Sequence, residues 1–269
     1  MTTRAVRLPA ILMAGGKASE AFMVQTGLHH RALLRVPDPS GPGADTATML
    51  EIAGRALRES AYIDRLHVVT DLAAPEGALR LPDHGGFVEN LFAGLNACAS
   101  EEYACVCTAD MPFLTASSVD RFLGAALSVD ADLVYPIVRA QTCEQAYPNL
   151  RRTSLPTREG RFTGGNIVLI RPAALVSVRS YIEAAHAKRK SPIQLAMMLG
   201  LGVTIGVAVS MITGRGFVSI DGLESAVSRL IHARARALIS DDPALATDID
   251  RPEEAAALNA DGRGSERRD

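Results

Sequence analysis

Short apolar runs closed by turn residues alternate with stretches of helical period along most of the chain. Residues 8–14 form an apolar run ending in Gly15-Gly16, the pattern of a buried strand, and residues 65–70 and 103–108 repeat it. Between these runs, residues 46–59 carry Met49, Ile52, Ala53, Ala56 and Leu57 at helical spacing. Residues 87–99 align Phe87, Val88, Leu91, Phe92, Leu95 and Cys98 on one helical stripe. A helix over about 116–127 and a strand over 131–138, broken by Pro136, continue the alternation.

Further along the pattern loosens. Residues 139–162 show no long helical period and read as an extended excursion, after which 166–170 return as a strand ending at Pro172. Ser191-Pro192 opens a helix, an N-cap followed by proline at the first helical position, and residues 193–199 supply its apolar face. Residues 221–235 predict another helix, 236–240 a short strand, and 247–252 a lead into a last helix. No linker or repeat interrupts residues 1–258, so one domain is expected there. Residues 259–269, polar and rich in Gly and Arg from Asp261, are expected to be a disordered tail.

Strands alternating with helices imply an α/β fold with a mostly parallel central sheet covered on both faces. Ligands of such sheets sit outside the carboxyl ends of the strands. Attention therefore falls on Gly15-Gly16-Lys17 after the first strand and on Ala109-Asp110-Met111-Pro112 after the third. Both loops open onto one edge if their strands run parallel near the sheet centre.

Composition narrows the function. The 269 residues are 48% hydrophobic, enough for one large core. A net charge of −2 and 4% aromatic residues, without basic–aromatic interleaving, argue against a nucleic-acid partner. No run of eighteen apolar residues and no signal-peptide core before Leu8 is present, so a cytoplasmic protein without membrane contact is expected. Cys98, Cys105, Cys107 and Cys143 have no second pair at metal-ligand spacing and are expected to be core thiols in a reducing compartment. Basic residues cluster at His29-His30-Arg31, Arg151-Arg152, 186–190 and 229–236, which reads as solvated helix faces unless a motif makes one an anion site.

Four motifs supply candidate chemistry, and each has a plain structural reading beside the functional one. Ala14-Gly15-Gly16 after a buried strand is either an ordinary turn or a loop whose backbone approaches a phosphate closely. It is neither a Walker loop nor a dinucleotide fingerprint. Asp110, at the end of a buried strand with Pro112 forcing the chain out of the sheet, is either a salt-bridged carboxylate or a Mg²⁺ ligand. Phe162-Thr-Gly-Gly-Asn166 is a β-turn, or it opens space for a bulky ligand beside an Asn amide. Thr247-Asp-Ile-Asp-Arg-Pro-Glu-Glu254 is a helix cap with an acidic first turn, or it brings Asp250 to a metal.

Taken as a set, Ile11-Leu-Met-Ala-Gly-Gly16, Thr108-Ala-Asp-Met-Pro-Phe-Leu114, Phe162-Thr-Gly-Gly-Asn166 and Asp248-Ile-Asp-Arg-Pro-Glu-Glu254 resemble the MobA-like nucleotidyltransferases. That group includes the molybdenum-cofactor guanylyl- and cytidylyltransferases and, more distantly, sugar-1-phosphate nucleotidyltransferases. The resemblance spans about residues 8–257. It implies a Rossmann-like three-layer sandwich of the glycosyltransferase-A type, with Mg²⁺ as cofactor. The substrates implied are a nucleoside triphosphate, GTP or CTP favoured, and a phosphorylated small-molecule acceptor. On matching positions Ala14, Gly15, Gly16 and Lys17 fall in the nucleotide loop, Gly86 and Asn90 near the base, and Asp110 and Asp250 at the metal. Asn166 falls on the acceptor side, and Lys190, before the Ser191-Pro192 cap, is placed to reach the acceptor phosphate.

The first loop departs from the family pattern. The usual A-G-G-x-S-x-R-M-G is replaced by Lys17 to Gly27 without Arg-Met-Gly, and the family's later lysine is matched by Arg31. Arg binds phosphate bidentately where Lys is a point charge. The expected catalytic residues are thus Lys17, Arg31 and Asp110, stabilising charge as an acceptor oxygen attacks the α-phosphorus and pyrophosphate leaves. Two alternatives stand beside this: a sugar-phosphate or phospholactate-type acceptor, and a nucleotide-binding sensor that has lost catalysis with its Arg-Met-Gly segment.

Overall fold

A computed structural model describes residues 6–41, 45–150, 152–176, 178–188, 191–251, 253–254 and 258. The chain begins with β1 (Leu8–Met13), α1 (Glu20–Thr26) and the short pair β2 (Arg35–Pro37) and β3 (Thr46–Thr48). Then come α2 (Met49–Glu59), β4 (Ile63–Val69), β5 (Leu79–Leu81), α3 (Phe87–Ala97), β6 (Ala104–Thr108) and α4 (Ala116–Ala126). The middle holds β7 (Leu133–Arg139), α5 (Ala140–Ala146), β8 (Leu155–Thr157), β9 (Gly160–Gly164) and β10 (Ile167–Ile170). Helices α6 (Pro172–Val176), α7 (Arg179–Lys188), α8 (Pro192–Met198), α9 (Leu201–Thr213) and α10 (Ile220–Ile231) precede β11 (Ala235–Ser240).

A nine-stranded sheet runs β5-β4-β1-β6-β10-β7-β9-β8, with β11 on the far side of β7. Following the pairings, only β10 and β9 run against the others, so the sheet is mostly parallel as the alternation implies. One face packs Leu50, Leu57, Phe122 and Leu123 of α2 and α4 on Leu12 and Val68. The opposite face packs Leu91, Phe92 and Leu95 of α3, with Ile231 of α10, on Ile11 and Val106. That the apolar side chains of β1 alternate between the two faces is what makes it read as a continuous apolar run.

Several helices are set by local chemistry. Thr48 and Glu51 form a reciprocal capping box at the start of α2. Ser191 caps α8, with Pro192 at its first position, as its sequence requires.

The structure corrects the sequence reading at several places. Strand β7 is not broken at Pro136. The Leu133 N–H points to β11's side, donating to the Arg234 carbonyl at 3.1 Å, so position 136 faces the other edge. There the neighbour changes from β10, paired to Val134, to β9, paired from Ile137, and no ladder donor is required. Residues 139–162 are not an extended excursion: they hold α5 and the β8–β9 hairpin, elements too short to show a period. Helices α1, α6, α7 and α9 and strands β2 and β5 match no predicted element. α9 is apolar on most of its surface and so lacks the polar face that marks a helix in sequence. The expected last helix and the tail at 259–269 lie largely outside the described residues. No helix among the described residues is long and apolar enough to cross a membrane.

Candidate active site

Strands β1 and β6 are parallel neighbours, with Met13 paired to Thr108, so the glycine loop and the Asp110 loop leave the sheet side by side. The Ala109 N–H donates to the Met13 carbonyl at 3.1 Å, fastening one loop to the other. Asn166, at the start of β10, lies beside Thr108, whose N–H donates to its carbonyl at 3.1 Å. Three of the four motifs therefore meet at one edge because of the strand order alone.

The fourth arrives through a buried peg. Ile249 is fully buried with Phe22, Val36, Met49 and Ile52, and its N–H donates to the Asp110 carbonyl at 3.0 Å. Its two neighbours, Asp248 and Asp250, are thereby brought to Asp110. Carboxylate oxygens of Asp110, Asp248 and Asp250 lie within 4.8 Å of one another. Three hard oxygen donors at that spacing suit Mg²⁺ or Mn²⁺, which take carboxylates together with phosphate oxygens and water.

Two arginines offset this charge. Arg31 Nη2 is 3.3 Å from Asp110 Oδ2, and its Nη1 pairs with Asp250. Arg152 holds Asp248 by both side-chain and backbone oxygens. Burial pushes the Asp248 carboxyl up to about 6, Asp110 and Asp250 adding to the rise and Arg152 opposing it. In sequence Asp248 reads as part of a helix cap. The Asp-Ile-Asp alternation, acid–apolar–acid, is the signal that could expose its role.

The glycine loop is tied to a residue that sequence reasoning misses. Asp83 accepts hydrogen bonds from Gly16 N–H at 2.9 Å, Gly85 N–H at 2.8 Å and Asn90 Nδ2 at 2.7 Å. Asn90 in turn accepts from His84 N–H at 2.7 Å. Burial pushes the Asp83 carboxyl up, but the bonds from Gly16, Asn90 and Gly85 outweigh it, with His30 assisting, and hold it below the usual carboxylate value. A Cβ on Gly15 would stand 2.6 Å from Asn90 Nδ2, and Gly16 has φ of +91°, so both positions need glycine. The loop amides are consequently less free than its sequence suggests, since Gly16 N–H goes to Asp83 and Ala14 N–H to the Val69 carbonyl at 3.1 Å.

Lys17 is exposed at the outer end of this loop. His30 is buried against it, with Nδ1 3.1 Å from the Gly16 carbonyl and Nε2 3.5 Å from Asp71. Gly86 caps α3 beside Asp83, and Asn90 is in the first turn of that helix. Lys190 and Arg151 lie outside the described residues. The four cysteines are buried, and burial raises all their thiols, Cys98 to about 11, as befits core groups.

A doubly covered α/β sheet with a glycine turn and three convergent carboxylates emerging at one strand edge suits a nucleotide-handling transferase. The chain belongs to the family of the MobA-like NTP transferase domain, which matches residues 10–194. It is similar to a hypothetical transferase from Thermus thermophilus, at 31% identity over 93% of this chain and 100% of that one, with a TM-score of 0.75. Its fold is also that of the 2-C-methyl-D-erythritol 4-phosphate cytidylyltransferase of Thermus thermophilus (17% identity, 96% and 100% covered, TM-score 0.53). CMP:2-keto-3-deoxy-manno-octonic acid synthetase, in a structure with CTP, is similar in fold too (12% identity, 97% and 98% covered, TM-score 0.52). No curated protein matches the sequence.

Proposed function

We propose that this chain is a Mg²⁺-dependent nucleotidyltransferase that moves a nucleotidyl group from a nucleoside triphosphate, GTP or CTP favoured, to a phosphorylated small-molecule acceptor. The observation that carries the reading is the convergence of Asp110, Asp248 and Asp250 within 4.8 Å, at the strand edge where the glycine loop also emerges. A carboxylate trio at that edge has little use in a pure binder, which favours catalysis over a sensor that has lost it.

In this reading an oxygen of the acceptor phosphate attacks the α-phosphorus, and the bond to the pyrophosphate oxygen breaks with its electron pair. No protein nucleophile is needed, so the chain's task is positioning and charge stabilisation. The glycine loop, with Gly86 and Asn90 beside it, holds the nucleotide. Arg31 and Lys17 neutralise charge developing on the departing pyrophosphate. Asn166, on the β10 side of Asp110, takes the acceptor side, the role that the sequence also gives to Lys190. Asp110 and Asp250 would hold Mg²⁺, which lowers the charge on the phosphates and fixes their geometry when bound. Arg152 keeps Asp248 in place.

The test is calorimetric titration with GTP, CTP, ATP and UTP, with and without Mg²⁺, on the wild type and Asp110→Asn. Mg²⁺-dependent binding of one nucleotide, weakened in the variant, is expected. Absence of binding to all four would overturn the reading and mean that the Lys17 to Gly27 segment has dismantled the pocket.

A further inference from the structure

The two arginines that offset the acid cluster are held very differently. Arg152 has only 12% of its side chain exposed, and it grips Asp248 at a carboxylate oxygen and at the main-chain carbonyl. Withdrawing it would uncover a backbone acceptor and a buried carboxylate together, which is costly. Arg31 is 37% exposed, and its two ion pairs, to Asp110 and Asp250, are both with carboxylates that a metal ion would want. It rises from a single 3-10 turn (Arg31–Leu33), so its long side chain can turn to solvent without moving the sheet. The cation between Asp110 and Asp250 is the guanidinium of Arg31.

We propose that Arg31 is a placeholder cation: it must leave Asp110 and Asp250 before a divalent ion can enter, and the triphosphate draws it away, so that ion and nucleotide bind as a pair. This deepens the metal-dependent reading above and rests on it. An ion arriving alone must expel a guanidinium that gains only water in exchange. When the ion arrives on a triphosphate, the same guanidinium trades two carboxylates for phosphate oxygens that match its planar donor fork. Asp110 and Asp250 are then the metal ligands, while Asp248 stays with Arg152 as a positioning residue. The arginine at position 31, where the family pattern has lysine, also fits: two separate N–H arms can bridge two carboxylates, whereas a single ammonium bridges them poorly.

The experiment is a Mn²⁺ titration of the full chain, free Mn²⁺ being read by its paramagnetic resonance signal, without nucleotide and with GTP or CTP, the Mn²⁺ taken up by nucleotide alone being measured without protein and subtracted. Wild type should bind Mn²⁺ weakly alone and more tightly with nucleotide. Arg31→Gln should bind Mn²⁺ alone about tenfold more tightly than wild type, and nucleotide should then tighten it less, a size ordinary for coupling between linked sites. Loss of any nearby positive charge strengthens metal binding to some degree, so the discriminating variant is Arg31→Lys, which keeps the charge and loses only the two-armed bridge. Arg31→Lys should move the same way by less, and it carries the comparison should Arg31→Gln fail to fold by circular dichroism. If wild type binds Mn²⁺ with nucleotide but the folded variants gain nothing without it, the placeholder role is overturned and the metal site stands. If no form binds Mn²⁺ under any condition, the metal reading of the acid cluster falls and the placeholder with it.

Discussion

At the glycine-loop end of the candidate site, Asp83 receives three neutral donors, from Gly16, Gly85 and Asn90, and its carboxyl is held below its ordinary value. At the acid end, Asp110, Asp248 and Asp250 share two guanidiniums, and Asp248 is pushed up to about 6. One carboxylate has its needs met from within the fold, and the other group of three is left with excess negative charge. On the proposed function the difference separates two tasks. A site that holds a substrate in one pose gains from a rigid, fully bonded loop, because the ordering is done before the ligand arrives. A site that takes up a cation gains from charge that the protein alone does not balance.

The largest effect that this contrast predicts is at the acid end. Asp110→Asn should lower pyrophosphate release by at least ~10²-fold with the fold intact by circular dichroism, the scale for losing a key electrostatic group. Near-normal turnover in that variant would remove Asp110 from the chemistry and dissolve the contrast. At the loop end, Asp83→Ala should act on binding and stability. Three donors lose their acceptor, which costs on the order of 1–3 kcal/mol in a chemical melt. The nucleotide dissociation constant should rise about tenfold, while turnover at saturation changes less. An Asp83→Ala protein with wild-type affinity but collapsed turnover would mean that the two ends do not divide the work in this way.

How much of this could be read from residues alone follows the same division. The acid end was largely legible: Asp110 stands at the end of an apolar strand, and strand alternation places its loop beside Gly15-Gly16. Asp250 was visible in Asp248-Ile-Asp-Arg, yet Asp248 read as a helix cap, because what joins it to Asp110 is the burial of Ile249 in a cluster from distant parts of the chain. The loop end was the harder one. Asp83 sits among Pro, His and Gly in a connection, where an acid usually marks a turn. Its role comes from the β5–α3 connection folding back on the first loop, and no local periodicity encodes that. The continuity of β7 through Pro136 and the apolar helix α9 escaped for a related reason: sheet partners and packing decided them, and local propensity pointed elsewhere or nowhere.

The smallest effect, and the one that compares the two ends directly, is in how stability changes with pH. In the unfolded chain both Asp83 and Asp248 titrate near the ordinary aspartate value of about 3.9. Asp83 has a folded value below that, so its contribution is present above about 3.9 and is lost as pH falls through the folded value. Asp248 has a folded value of about 6, so its contribution is full below the unfolded value and is lost as pH rises through about 6. In nucleotide-free protein freed of metal by a chelator, melting temperature should therefore decline from about pH 4 towards pH 7 through Asp248, and decline on the acid side through Asp83. The Asp248 limb is worth on the order of 1 kcal/mol after solvent screening is allowed for. Asp248→Asn should flatten the upper limb and Asp83→Asn the lower. The quantity to compare is the slope, since Asp248→Asn also loosens the anchor of Arg152 and shifts the whole curve. An Asp248→Asn protein whose curve runs parallel to wild type between pH 4 and 7 would show that the acid end carries no unbalanced charge, and the contrast with the glycine-loop end would be lost.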